Sequence, residues 1–222
     1  MLFYLKMKNT FIYIIIIVFI ASSCKKKNKE IIITGTVINS VKSEQLNNVN
    51  VILSGKIIES NKWTNSYSKL ASTNSDNNGK YTLKLDAVRV SEYKLSFIKE
   101  NYIDETKIIQ PDDISTDKEN VVNADMYIKS FIDIKINNTN PVNQNDYMSL
   151  TLSGYFKNCT SCCTDEKFEF KGQEINQNII CICPGNQNII LNWDILKSGS
   201  VNSYKDTLFV GNIDTVNYII NY

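Results

Sequence analysis

Apolar and polar residues alternate with a period of two along most of the chain that follows residue 30. In the first such segment, Ile31, Ile33 and Val37 fall on one side, and mostly threonine falls on the other. Alternation of this kind is typical of a β-strand that buries one face. The first set of alternating segments comprises residues 31–37, 49–53, 81–85, 93–97 and 121–128.

A second set of alternating segments begins after residue 130. Its members are residues 132–136, 148–156, 168–170, 179–181, 189–191, 208–210 and 216–220. About seven strands at this spacing suit a β-sandwich of immunoglobulin-like size. Neither set shows a sustained period of 3.6, which would indicate helix. We therefore predict an all-β fold with two β-sandwich domains in series, at residues 31–128 and 131–222.

Turn-forming residues separate the strands of the first set. Asn47-Asn48 follows the first predicted strand, and residues 76–79 precede the strand at 81–85. Within that second turn, Asn78-Gly79 is a strong signal for a tight turn between two paired strands. The sequence therefore predicts a β-hairpin at this point.

The segment between residues 56 and 70 is longer than a small sandwich needs for a connection. It holds Trp63 and Tyr67 among asparagine, serine and lysine residues. Exposed aromatic rings on loops commonly hold sugar rings or partner proteins, so both residues are candidates for ligand binding. The alternative is that the two rings cover the edge of the sandwich.

The N-terminal segment has the parts of a secretory signal peptide. Lys6 and Lys8 supply positive charge, residues 11–20 are apolar and uncharged, and small residues follow at positions 21–23. Helix over residues 11–20 would reach only ~15 Å, about half of a ~30 Å hydrocarbon core, so a spanning helix is disfavoured. We assign residues 1–23 to a signal peptide and exclude them from the fold.

Ala21-Ser22-Ser23-Cys24 resembles the lipobox of bacterial lipoproteins. The resemblance implies that Cys24 carries a diacylglycerol, with palmitate as an acyl chain, and that residues 24–30 form a lipidated tether. Two or more acyl chains anchor a protein stably to a membrane. Because Lys25 rather than Asp follows the cysteine, we expect the outer membrane of a Gram-negative bacterium. The alternative is an ordinary secretory signal with an incidental cysteine.

Four stretches of the first set occur in the order Gly35-Thr36-Val37, 46–51, 73–81 and 93–102. This order resembles the carboxypeptidase regulatory-like family, in which the third stretch is a Thr-x-x-Asp-Gly-x-Tyr hairpin. The sequence departs from the family at Asn78, before the glycine, and at Asn101, where the family usually has glycine. The resemblance implies a transthyretin-type β-sandwich that serves as an accessory module. It implies no peptidase activity.

Composition excludes several classes of chemistry. The 222 residues include no histidine, which removes the commonest general base near neutral pH and every histidine-containing zinc site. Without residues 1–23 the chain loses two of its 24 basic residues and none of its 23 acidic ones, so it is close to neutral. No basic field remains to attract nucleic acid. We expect no catalytic residue, no metal and no cofactor.

Five of the six cysteines lie in the second predicted domain. Cys159, Cys162 and Cys163 form one group, and Cys181 and Cys183 lie two apart in a predicted strand, where they point to the same face. Outside the cytoplasm thiols meet an oxidising environment, so we predict disulfides between the two groups, with one cysteine left over. A disulfide that closes about 20 residues stabilises a fold by ~3 kcal/mol. The alternatives are a zinc site of four thiolates and a free or nucleophilic thiol.

Other candidate chemistry is sparse. Asp112-Asp113 and Asp165-Glu166 are carboxylate pairs in loop-like segments, where solvated charge is the common interpretation. Asp206-Thr207-Leu208 and Asp214-Thr215-Val216 resemble a short bacterial O-glycosylation pattern. Neither pattern by itself indicates an active site.

Three functions are compatible with these features. The first is a non-enzymatic, lipid-anchored binding protein of the cell envelope, with a glycan or a protein as ligand. The second is a structural accessory subunit of an outer-membrane complex, and the third is an enzyme that uses carboxylates or a thiol. An aromatic-lined groove near Trp63 would favour the first function, whereas a bare sheet edge would favour the second.

The lipid anchor is testable by substitution. Cys24→Ala should release the protein from membranes, because it removes the thiol that carries the acyl chains. The measurement is the fraction of the protein in the membrane pellet, with Ser22→Ala, which keeps a small residue before the cysteine, as the control. A Cys24→Ala protein that stays fully membrane-bound would rule out the anchor.

Overall fold

In the computed structural model, the described residues are 29–59, 62–154, 159, 161–163 and 166–222. The predicted signal peptide, Cys24, most of the tether and Asp165 lie outside these residues, so those assignments stay predictions. No helix in the described part of the chain is long and apolar enough to span a bilayer. The all-β fold class is confirmed, because strands account for nearly all of the regular structure of the described residues.

The first half of the chain forms two sheets around one core. One sheet has the order β5-β1-β8, with β9 also paired to β1, and the other has the order β4-β2-β6-β7, with β3 paired to the end of β2. The predicted strand at 121–128 is therefore two shorter strands, and the sequence patterns predicted neither β4 nor β7. The strands are β1 (Glu30–Asn39), β2 (Asn50–Glu59), β3 (Lys62–Trp63), β4 (Ser68–Asn74), β5 (Lys80–Asp86), β6 (Val90–Ile98), β7 (Glu105–Ile109), β8 (Asn120–Val121) and β9 (Ala124–Met126), with a short 3-10 helix at Pro111–Asp113.

The second half also has two sheets, with the orders β13-β10-β16 and β12-β11-β14-β15. Each of the seven predicted segments contributes a strand, so the alternation of apolar residues located these elements correctly. The strands are β10 (Lys129–Asn137), β11 (Tyr147–Ser153), β12 (Lys167–Lys171), β13 (Asn176–Pro184), β14 (Gln187–Lys197), β15 (Ser200–Val210) and β16 (Thr215–Asn221).

Both halves have the same strand order. Each first strand, β1 or β10, pairs antiparallel with β5 or β13 and parallel with the last strand of its half. Each second strand, β2 or β11, lies between two antiparallel neighbours. An immunoglobulin sandwich would place the first, second, fourth and fifth strands in one sheet. The immunoglobulin-like prediction for the second half is therefore wrong, because β10 and β11 lie in different sheets.

The predicted hairpin at Asn78-Gly79 is also wrong. The turn joins β4 to β5, and these strands belong to different sheets, since β4 pairs with β2 and β5 pairs with β1. The Asp76 carboxylate accepts the backbone N–H groups of Asn78 and Lys80, each at 2.8 Å, and Gly79 has a φ of 68°. The turn signal correctly predicted a reversal of the chain, but it did not determine which strand would become the partner.

Two separate hydrophobic cores lie between the sheets, one in each half. Phe97, Leu53 and Leu95 are fully buried in the first, and Ile134, Met148 and Leu150 are fully buried in the second. The residues of the two cores separate between Met126 and Ile132. That residues 31–128 and 131–222 fold independently stays a prediction.

Two residues, Tyr127 and Ile128, connect the halves between β9 and β10. Ile103 N–H donates to the Tyr127 carbonyl at 2.8 Å, and Gly185 N–H donates to the Ile128 carbonyl at 2.8 Å. Lys129 N–H donates to the carbonyl of Asn101, whose φ of 63° lies in the left-handed region that asparagine tolerates better than most residues. We call the connecting residues Tyr127 and Ile128, together with the segment 101–103, Lys129 and Gly185, the junction. Backbone hydrogen bonds from both halves thus hold it.

The chain runs through each half from one end to the other. In the first half it enters at Glu30, and β9 leaves with Met126 opposite Asn39 at the far end of β1. In the second half it enters at Lys129, and β16 ends with Asn221 opposite Asn137. A ten-residue strand is ~33 Å long. Within each half, the chain therefore enters at one end of the first strand and leaves at the other end.

Substitution of Ser75 tests the hydrogen bonds that hold the connections between the two sheets of the first half. Its buried hydroxyl accepts the Val49 N–H at 2.9 Å and donates to the Leu46 carbonyl at 2.6 Å. Ser75→Ala should lower the free energy of unfolding by about 1–3 kcal/mol, because it leaves buried backbone groups without partners. Chemical denaturation measures this value, and the exposed Ser72→Ala should stay within about 0.5 kcal/mol of the wild type. An equal loss in both variants would contradict the assigned role of Ser75.

Candidate functional site

The segment predicted as a long loop around Trp63 is mostly strand. β2 continues to Glu59, β3 contains Lys62 and Trp63, and β4 begins at Ser68. The backbone of Trp63 is paired with Ile58, while its side chain lies outside the described part of the structure. The ligand-binding role of Trp63 stays a prediction.

Tyr67, just before β4, contacts a group of charged side chains on β2 and β6. Its hydroxyl donates to the Glu92 carboxylate, which also pairs with the Lys56 ammonium at 2.8 Å. The Lys94 ammonium lies 4.2 Å from the centre of the Tyr67 ring. Hydrogen bonds from Lys56 and Tyr67 lower the pKa of Glu92. A sugar ring that stacked on the face of Tyr67 next to Lys94 would have to displace this ammonium group.

The cysteines form two disulfides, Cys159–Cys162 and Cys163–Cys181. Cys183 is free and fully buried, and burial raises its pKa to about 12. The prediction of disulfides with one cysteine left over is confirmed, and Cys163–Cys181 joins the two groups as expected. The expectation that both disulfides join the two groups is wrong, because Cys159 bonds to Cys162 within the first group and Cys183 stays free in the core.

These positions limit the chemistry that the cysteines can perform. A thiol reacts as the thiolate, and a raised pKa keeps Cys183 protonated at neutral pH. Four of the five thiols are oxidised, and the described residues contain no group of three or more potential metal ligands. The described cysteines therefore have the features of structural residues.

The loops at the far end of the second half converge into a surface that we call the tip. It comprises residues 138–146, residues 172–175, the turn at 198–199, and Tyr222. Thr139 N–H donates to the Tyr222 carbonyl at 2.8 Å, Asn138 N–H donates to the Ile175 carbonyl at 2.9 Å, and Gly172 N–H donates to the Asp146 carbonyl at 2.8 Å. Hydrogen bonds thus connect three of the four segments.

Asp146 organises the longest loop of the tip. The residue is 1% exposed, and its carboxylate accepts the backbone N–H groups of Val142 at 2.9 Å and Asn143 at 3.2 Å. The Asn138 side-chain amide donates to it at 3.0 Å. The hydrogen bond from Val142, followed by that from Asn138, lowers the pKa of Asp146. The carboxylate is therefore a fixed structural acceptor.

Lys197 fastens the same loop to β14. Its ammonium donates to the Asn138 side-chain oxygen at 2.8 Å and to the Asn140 carbonyl at 2.7 Å. It also lies 4.9 Å from the centre of the Tyr222 ring. The buried Tyr222 hydroxyl has no hydrogen-bond partner among the described residues, and burial raises its pKa. Lys197 thus joins two segments of the tip to the end of β14.

The exposed part of the tip is rich in amide side chains. Asn140, Asn143, Gln144 and Asn145 are exposed, and the Gln144 amide donates to the Gln173 side chain at 3.0 Å. Val142 is 48% exposed. The sequence shows these asparagines only as turn signals, so sequence reasoning missed the tip. The clustering of amides at 137–145 was the available signal, but it does not show which other loops lie beside it.

An aromatic cluster connects the two sheets of the second half. The rings of Trp193 on β14 and Tyr204 on β15 are stacked with centroids 5.6 Å apart, and Tyr218 on β16 meets Trp193 edge to face at 6.3 Å. The Tyr218 hydroxyl donates to the Asp206 carboxylate at 2.6 Å, and burial with this hydrogen bond raises the pKa of Tyr218 to about 12. The cluster therefore fixes β15 against β16.

Comparisons with known proteins do not assign the chain to a family. No family model matches it, and no curated protein matches it. Solved structures similar to it include the Bacillus anthracis TIE protein, with 12% identity over 86% of this chain and 34% of that chain at a TM-score of 0.36. A streptococcal ancillary pilin has 10% identity over 88% of this chain and 63% of that chain at a TM-score of 0.33.

A third similar structure is GBS52, the minor pilin of Streptococcus agalactiae, with 9% identity over 86% of this chain and 94% of that chain at a TM-score of 0.33. The chain spans about a third of the length of the TIE protein. TM-scores of this size support no argument about function. The resemblance to the carboxypeptidase regulatory-like family stays a prediction.

The pH dependence of stability tests the role of Asp146. Its lowered pKa means that the carboxylate stabilises the fold fully above its unfolded pKa of about 3.9, and that this contribution is lost as pH falls through the lower folded pKa. Asp146→Asn should be less stable than the wild type at pH 7, because the amide would present N–H groups to the Val142 or Asn143 donor. The difference between the two proteins should shrink below about pH 4.

Thermal or chemical unfolding between pH 2.5 and 7 measures this difference. Asp125→Asn, at an exposed position on β9, is the matched control and should stay within about 0.5 kcal/mol of the wild type at pH 7. An Asp146→Asn protein that matches the wild type at pH 7 would contradict the structural role of the carboxylate.

Proposed function

We propose that the protein is a lipid-anchored, non-enzymatic stalk of the cell envelope that presents its tip to a partner protein. The observation that carries the proposal is the direction of the chain through the two halves. Glu30, next to the predicted tether, lies at one end of β1, and the junction lies at the other end. The tip then lies at the end of β10 away from the junction.

The short tether supports an anchor close to the first half. Cys24 and Glu30 are six residues apart, which is at most about 20 Å of extended chain. The Glu30 end of the first half would then face the bilayer. Within this proposal the two halves extend end to end from the membrane, so that the tip is the part farthest from it. Within this proposal the membrane is the outer membrane of a Gram-negative bacterium, because Lys25 rather than Asp follows Cys24.

The ionisable groups favour binding over catalysis. The carboxylates with lowered pKa values include Asp146, Glu92 and Glu169. Each accepts hydrogen bonds from other groups of the same chain. Glu92 pairs with Lys56, and Glu169 pairs with Lys167 at 2.6 Å. Networks of this kind hold strands and loops in place, and they offer no free group with a pKa tuned for proton transfer to a substrate.

The chemistry of the tip favours a protein over a glycan as partner. Sugar rings commonly stack on exposed aromatic side chains, whereas Tyr222, the aromatic residue of the described tip, is 7% exposed. Exposed amides together with two exposed apolar residues, Pro141 and Val142, are compatible with the polar composition of a transient protein interface. Loops at the end of a rigid scaffold are the usual location of such contacts.

Crosslinking in the source bacterium would test the proposal. A photoreactive residue at Val142, in the tip, should form an adduct with a discrete envelope protein. The same residue at Val88, which is 39% exposed in the turn after β5 at the Glu30 end, should form none. The two positions are matched, since both are exposed valines in loops. Val88 lies at the Glu30 end of the first half, and Val142 lies in the tip.

Mass spectrometry identifies the adducts. An adduct at position 142 that is absent at position 88 would support a partner at the tip. Equal capture at both positions, capture at 88 alone, or no adduct at 142 would overturn the proposal.

A further inference from the structure

Two Asp-Thr pairs in the second half share one local geometry. Thr207 N–H donates to the Asp206 side chain at 2.7 Å, and Thr215 N–H donates to the Asp214 side chain at 2.8 Å. Both threonines are exposed. In each pair, the carboxylate is thus held beside the backbone of an accessible hydroxyl-bearing residue. An apolar residue follows each threonine, Leu208 in one case and Val216 in the other.

Further contacts fix both aspartates. The second carboxylate oxygen of Asp206 accepts the Tyr218 hydroxyl at 2.6 Å, and this bond, with the one from Thr207, lowers the pKa of Asp206. The backbone carbonyl of Asp214 accepts the Phe131 N–H at 2.8 Å. The Asp206 carboxylate therefore has a defined position and is ionised at neutral pH, and the backbone of Asp214 is held against β10.

The surroundings of both threonines are open on one side. β15 and β16 are the outermost strands of their sheets among the described strands. A large apolar side chain lies two residues from each threonine, and both are exposed: Phe209 by 59% and Ile213 by 63%. Exposed edge strands with apolar residues favour aggregation unless something covers them.

We propose that Thr207 and Thr215 are acceptor sites for O-linked glycans, and that the preceding aspartate identifies each site to a glycosyltransferase. The threonine Oγ attacks the anomeric carbon of a sugar that is activated as a glycosyl pyrophosphate. The Oγ–carbon bond forms as the bond from that carbon to the phosphate oxygen breaks. The pyrophosphate carrier leaves with the electron pair, and the hydroxyl proton passes to a base of the transferase.

The glycans would cover the edges of the second half and leave the tip accessible. Thr207 lies near the end of β15 at Val210, and Thr215 is opposite Phe131 near the start of β10. Both positions are at the junction end of their sheets. The inference is therefore independent of whether the tip binds a partner.

Other threonines lack this combination and provide controls. Thr106 is exposed on β7, the strand that corresponds to β15 in the first half, but it follows Glu105 rather than an aspartate. The Thr151 hydroxyl is half-buried and donates to the Asn192 carbonyl at 3.4 Å. Thr106→Ala is thus the matched control for substitutions at Thr207 and Thr215.

Peptide mass spectrometry of the full protein from membranes of its source bacterium tests the inference. Trypsin cleaves after Lys205, and residues 206–222 contain no lysine or arginine, so one peptide carries both sites. We expect this peptide to carry two glycan masses. Thr207→Ala and Thr215→Ala should each remove one of them, the double variant should remove both, and Thr106→Ala should remove none.

Two outcomes would overturn the proposal: a peptide that appears only at the mass of its sequence, or glycan masses that persist in the double variant. Asp206→Asn and Asp214→Asn test the recognition step, since each keeps the size of the side chain and removes its charge. Loss of the adjacent glycan in each variant would support the role of the carboxylate. Full glycosylation of both variants would overturn that role.

Discussion

The parallel pairing of the first and last strands is the constraint on which the rest of each half depends. Two parallel strands run in the same direction, so the chain leaves a half at the end opposite to its entry. β9 beside β1 therefore brings the chain to the junction, and β16 beside β10 brings it to the tip. If the last strand were antiparallel, the chain would return towards its own entry, and the tip could not lie beyond the junction.

The two halves share one strand order, but different core side chains stabilise it. In the first half, Tyr81 packs edge to face on Phe97 with ring centroids 5.7 Å apart, and its hydroxyl donates to the Val122 carbonyl at 2.5 Å. In the second half, Cys181 lies in the core and is bonded to Cys163. The backbone pairing is therefore the feature that the halves share, and their core side chains differ.

Sequence patterns located most of the strands but missed β4 and β7, in which apolar and polar residues alternate only weakly. β4 and β7 have no fully buried apolar side chain, because Ser68–Asn74 and Glu105–Ile109 pack only partly buried residues such as Leu70 and Ile109 against the core. A weak alternation cannot be distinguished from a polar loop by local sequence alone. For the same reason the 56–70 segment looked like a loop, although strand pairing with β2 organises much of it.

The sequence by itself determined the all-β class, the positions of most strands and the presence of disulfides. Period-two alternation and the positions of cysteines can be read from short stretches of sequence. Tertiary structure alone decided which strands pair, that Asn78-Gly79 joins two sheets, that Lys94 covers Tyr67, and that Cys183 remains free. It also decided that Asp146, Lys197 and Tyr222 meet at the tip. The physical reason is that each of these contacts joins residues far apart in sequence, and only burial of both apolar cores selects one pairing among many.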